Sequence, residues 1–187
     1  MMKEEYFSIV SEKFDYLCKD YEFIQASPYP YMVVYKTAKY TISIGYDYGR
    51  SFEIICTCSD DGINSYTLQE ILRIKNKAKA RNYAFFQTNN IEEISGILDY
   101  ISNVFKNDIL DILKESGIFL RLKKQQENDC KEYQLKSNYQ DRKPVVEKAW
   151  KQKDYEVFVK LLEPFVEILS QTDKEKIKYA NRQLDKS

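Results

Sequence analysis

Between Tyr40 and Cys58 the chain reads YTISIGYDYGRSFEIICTC, and this stretch limits the available folds more than any other. Tyr40, Ile42, Ile44, Tyr46 and Tyr48 alternate with Thr41, Ser43, Gly45 and Asp47. A period of two puts the first set on one face of a sheet and the second on the other. Phe52, Ile54, Cys56 and Cys58 run back on one face, with Glu53 and Thr57 opposite. Gly49-Arg50 occupies the place of a two-residue hairpin loop, and Gly at its first position accepts the positive φ of a type II′ turn. The pattern predicts an antiparallel hairpin with one apolar face, which other elements must cover.

The flanking residues supply more strands and the cover. Tyr21–Ser27 reads as a short strand broken by Pro28 and Pro30, and Tyr31–Lys36 as another, joined to the hairpin by a turn at Thr37–Lys39. Upstream, Tyr6, Phe7, Val10, Phe14 and Leu17 form one helical stripe. Asp60-Asp61-Gly62 ends the sheet, and Thr67 with Glu70 forms a capping box that opens a helix running to about Ala80. Tyr83–Gln87 suits either a short strand or a buried loop. Asn90 and Glu93 open a helix striped by Ile91, Ile94, Ile97, Leu98, Ile101, Val104 and Phe105, and Asn107-Asp108 starts another. Residues 123–144 are dense in charge and poor in apolar side chains, which suits a solvated helix or a linker ended by Pro144. Beyond lie two further helical segments, around Trp150 and Tyr155–Leu169, and a last helix opened by Thr172 and Glu175. The segment around Trp150 has the outline of half a tetratricopeptide-type hairpin, a single copy that points to packing.

The expected fold class is α+β. An antiparallel meander of three to five strands covered by helices spans 1–122, and a helical hairpin or three-helix unit spans 123–187. At 187 residues such a chain buries roughly 70% of its unfolded surface. It needs neither disulfide nor metal for stability.

The chemistry is defined largely by what the residues exclude. The chain has no His, so Ser-His-Asp, Cys-His and His-metal mechanisms are closed to it. Its five Gly make no phosphate-binding loop, and the four Cys (Cys18, Cys56, Cys58, Cys130) lack zinc-site spacing. The carboxylate pairs Asp60-Asp61, Glu92-Glu93 and Asp108 with Asp111 sit where helix starts or turns are expected and suit capping. No catalytic residue, cofactor or metal is expected, and the chain is read as a non-enzyme. Formal charge is zero, with −4 over residues 1–120 and +4 over 121–187, too mild for nucleic-acid binding. The charged N-terminus is unlike a signal peptide and no apolar run could span a bilayer, so no membrane association and a cytoplasmic location are expected.

What remains is binding. The chain holds 16 Tyr and 10 Phe. Tyr46-Asp47-Tyr48-Gly49-Arg50 is its most site-like stretch, because Tyr and Arg are enriched at binding hot spots. Alternation assigns Tyr46 and Tyr48 to the buried face, leaving Asp47, Arg50 and Glu53 at the wet tip. Asp47, Tyr48, Arg50, Glu53, Asp60 and Asp61 are the candidate partner-binding residues.

The order of features also carries a resemblance. An aromatic N-terminal helix leads to "YMVVYKTAKYTISIGYDYGRSFEIICTC", then "YTLQEIL", "FFQTNN", "IEEISGILDYISNVF" and a closing "KDYEVFVKLLEPFVEILSQTDKEKIKYANRQL". This pattern resembles small bacterial immunity-type proteins that accompany polymorphic or contact-dependent toxins. The resemblance implies a cytosolic, non-catalytic protein that neutralises a toxin by stoichiometric binding, and it transfers no individual residue. The acidic N-terminal half would suit a basic toxin domain. The alternative is a structural or regulatory interaction module, homodimeric through a sheet edge or the C-terminal helices.

Overall fold

The computed structural model describes residues 3–60, 63–83 and 85–185. It divides into two compact units, Met1–Lys124 and Gln125–Ser187, each with its own apolar core.

The first unit is an antiparallel sheet with helices on one face. Helices α1 (Lys3–Lys13) and α2 (Asp15–Tyr21) lead into β1 (Ile24–Tyr29), β2 (Met32–Lys36), β3 (Thr41–Tyr46) and β4 (Glu53–Ser59). These four strands pair in chain order as a meander. Two-residue strands, β5 (Tyr66–Thr67) and β6 (Phe86–Gln87), both pair with β4. The expected α+β architecture is therefore present, with β6 resolving the ambiguity at Tyr83–Gln87.

Burial follows the alternation along β3, where Ile42, Ile44 and Tyr46 face the core while Thr41, Ser43 and Gly45 stay half exposed. In β4 Ile54, Cys56 and Cys58 point the same way and Ile55 points out. The helical stripe also holds: Tyr6, Val10, Phe14 and Leu17 are fully buried. Phe7 departs from it and is exposed, because it lies about 100° round the helix from Tyr6. All four cysteines are free thiols, with Cys56 and Cys58 buried and Cys130 exposed.

Several helix boundaries differ from expectation. The Thr67–Glu70 capping box is formed, but α3 (Leu68–Lys75) stops at Asn76. The Asn76 side chain caps a new short helix, α4 (Lys77–Asn82), by accepting from the Lys79 N–H at 2.9 Å. Asn107-Asp108 starts no helix. Helix α5 (Ile91–Val104) passes through a π-helical turn at Phe105–Ile109 into α6 (Leu110–Leu113), and the Asp108 carboxylate meets Lys79 at 2.6 Å. Phe105, Ile109 and Leu110 are all buried across the π turn. Proline also fails to end β1, which runs through Pro28 to Tyr29 with a register irregularity between Ala26 and Tyr29.

Helix α7 (Ile118–Lys151) starts in the first unit and ends in the second. Pro144 lies inside it and does not terminate it. Val146 and Ala149 are buried in the second core, and their packing outweighs the lost backbone bond. The second unit continues with α8 (Tyr155–Leu162), a 3₁₀ turn at Glu163–Phe165, and α9 (Gln171–Leu184). Its capping residue is Ser170, which accepts from the Asp173 N–H at 3.1 Å; Thr172 does not cap it. Among the described residues no helix is long and apolar enough to cross a membrane.

Candidate functional site

The β3–β4 connection is wider than a two-residue turn. Strand pairing ends at Tyr46↔Ile54, and the loop comprises residues 47–52. The Asp47 N–H donates to the Glu53 carbonyl (2.9 Å) and the Phe52 N–H to the Asp47 carbonyl (3.0 Å), which closes the loop at its base. The Asp47 carboxylate organises the interior. It accepts from the Ser51 hydroxyl at 2.7 Å and from the Ser51 N–H at 3.2 Å, and it lies 3.7 Å from Arg50 Nε. The two Ser51 bonds, with a smaller contribution from Arg50, hold the Asp47 carboxyl below its ordinary pKa. Asp47 is thus an internal brace of the tip and only partly a free contact.

A longer loop changes the fate of Tyr48. Alternation would bury it with Tyr46, but the strand geometry ends before it, and Tyr48 is 47% exposed. It lies stacked on Tyr31, ring centroids 4.8 Å apart, and edge-on to Phe52 at 6.2 Å. Tyr31 comes from the neighbouring β1–β2 turn. The register Met32↔Gly45 sets that turn beside the hairpin.

Below the tip the rings continue inward. Tyr31 contacts Tyr46 (6.1 Å), and Tyr46 stacks on buried Tyr6 (5.7 Å). The Tyr46 hydroxyl donates to the Thr88 carbonyl at 2.9 Å, and the Thr88 N–H donates to the Phe52 carbonyl at 3.1 Å. Gln87 adds a side-chain bond to the Ser51 carbonyl. The tip is fixed from both sides, by an aromatic column and by the β6 segment. Arg50 projects beyond it, with 85% of its side chain exposed.

Two aromatic residues at this site hold left-handed backbone, Tyr31 at φ 59° and Phe52 at φ 56°, and Gly49 lies at φ 80°. Glycine enters this region freely, whereas a side chain there costs roughly 1–2 kcal/mol.

The candidate residues divide between two places. Asp47, Tyr48, Arg50 and Glu53 gather at the hairpin tip. Asp60 lies past the other end of β4, about 23 Å away at the usual rise per strand residue. It lines an open groove with Lys39, Tyr40, Lys114, Gly117 and Phe119. Asp61 lies outside the described residues. Sequence reasoning missed Tyr31, Ser51, Phe52 and Thr88. Of these, Tyr31 and Phe52 were visible in the pattern, both as strand residues. Among the described residues no three Cys, Asp or Glu side chains converge on a point that a metal ion could occupy. No protein-family model matches the chain, and neither a curated protein nor a solved structure was found to be similar to it.

Proposed function

We propose that this chain works by binding another protein through the β3–β4 tip, as a stoichiometric neutraliser of a toxin domain. The observation that carries the binding reading is the tip itself. Tyr48 offers a half-exposed ring held by Tyr31 and Phe52, and beside it Arg50 is largely exposed, its Nε 3.7 Å from the Asp47 carboxylate. The packed Tyr48 ring loses little side-chain freedom when it docks, and Tyr and Arg are, with Trp, the residues enriched at the hot spots that dominate interfaces. The toxin as partner rests on the sequence resemblance.

The test is co-purification of the full chain with its host partner, followed by quantitation with Tyr48→Ala and Arg50→Glu. Each change is expected to weaken binding by at least about tenfold, the scale of a hot-spot truncation. Arg50 is largely exposed, so its change should leave the melting temperature in place, whereas Tyr48→Ala gives up ring contacts and should lower it modestly while the chain stays folded. A partner retained at wild-type affinity by both variants removes the tip from the interface. A partner that is not a toxin would keep the binding reading and discard the neutralising one.

A second reading has its own support at β1. This strand is an edge of the sheet, and Ile24 and Tyr29 on it are 75% and 64% exposed. Unpaired edges of this kind add strands from another chain. If β1 joins two copies, light scattering of the purified chain gives a dimer mass, and Ile24→Lys returns it to a monomer. A wild-type monomer mass at high concentration would dispose of the dimer.

A further inference from the structure

The second unit contains a cavity of about 390 Å³, lined by α7, α8 and α9. Its floor is apolar: Phe158 and Val146 are buried and Trp150 is half-buried against Phe158, ring centroids 4.9 Å apart. Lys143, Lys151 and Lys176 also line it, with Glu147 and Asp173 the only acidic lining residues. The two carboxylates are not equivalent. Asp173 accepts from the Ser170 hydroxyl at 2.6 Å and the Tyr139 hydroxyl at 3.0 Å, and so is committed to the α9 cap. Asp173 keeps its charge in those bonds, so the lining sets three ammonium groups against two carboxylates, a surplus of one positive charge. Lys176 sits over the Trp150 ring at 5.5 Å, and Lys143 and Lys151 form no ion pair among the described residues.

We propose that this cavity receives an acidic peptide segment in which a bulky apolar side chain is flanked by carboxylates two residues to either side. The volume falls in the range of sites that bury an apolar group with a few polar contacts. The charge surplus selects a carboxylate-bearing occupant. Spacing selects an extended peptide over a single small anion. Lys143 and Lys151 are eight residues apart on one helix, about 12 Å at the helical rise. An extended segment spans that distance in about four residues, with its first, third and fifth side chains on one face. The middle side chain enters over Val146 and Phe158 while the outer two meet the lysines. This inference stands on the second unit alone and does not depend on the hairpin tip.

Trp150 is the sole tryptophan of the chain, so its emission reports on this cavity directly. The probe is a capped peptide, Ser-Glu-Ser-Leu-Ser-Glu-Ser, titrated into the full chain at low salt. The expected result is a saturable emission change that weakens as salt rises. The response should fall at least about tenfold in affinity with Lys143→Glu and Lys151→Glu combined, and vanish when the peptide carries Lys in place of Glu. Both lysines are exposed on the helix, and circular dichroism of the double variant checks that the unit stays folded. Flat emission up to millimolar acidic peptide overturns the proposal, as does equal binding by the double variant. Equal affinity for capped glutamate alone also overturns it, because that result describes a single-anion site.

Discussion

Phe158→Ala is expected to leave the unit Gln125–Ser187 largely unfolded at 25 °C. Phe158 is almost fully buried at the centre of a small core with Val146, Ala149, Leu162, Phe165, Leu169 and Ala180. Truncating a buried phenylalanine costs about 3–5 kcal/mol through lost transfer energy and the cavity left behind. A unit of this size rarely draws more than about 3–5 kcal/mol from a single core. One substitution therefore removes an amount comparable to the whole. Trp150 packs directly on Phe158, so its emission is expected to shift to the red before any denaturant is added. An unshifted spectrum with an unchanged urea midpoint would show that Phe158 is not the keystone.

In the first unit the same kind of truncation should be survived. Phe14 is fully buried and touches the rings of Tyr16, Tyr35 and Phe105 at 6.2, 6.2 and 6.5 Å. Phe14→Ala again costs about 3–5 kcal/mol. Here the loss is set against a core fed by the sheet and seven helices, in a domain-sized unit whose stability is on the order of 5–15 kcal/mol. The expected result is a folded unit with a much lower urea midpoint, followed by far-ultraviolet circular dichroism. Tyr6→Phe supplies the contrast. The Tyr6 hydroxyl is buried without a hydrogen-bond partner among the described residues, so deleting it should be neutral or stabilising. A large loss in Tyr6→Phe would mean that the hydroxyl makes a bond after all.

The readable parts of this fold are those whose signal is local. The Thr67–Glu70 box, the Asn90 cap and the Ile42–Ile44–Tyr46 alternation each sit within a few residues of sequence, and each forms. Where two local signals compete, sequence cannot choose. Ser170 with Asp173 and Thr172 with Glu175 both resemble caps, and the helix starts at the first. Pro144 is a local stop signal overruled by burial of Val146 and Ala149, a contact made in three dimensions. The tip shows the same division. Arg50 was visible as a turn residue, but the ring beneath Tyr48 belongs to Tyr31, seventeen positions upstream, and only the strand register brings them together.

The left-handed residues at the tip bear on how such a sequence would drift. At positions 31 and 52 the backbone has the conformation that glycine accepts freely, yet both rings pack against the first core, so glycine would relieve about 1–2 kcal/mol of backbone strain and forfeit at least as much burial. Either replacement would relax the main chain and blunt the hairpin by deleting a ring. The aromatic prow is thus held by packing that glycine would not replace, and these two codons should drift slowly.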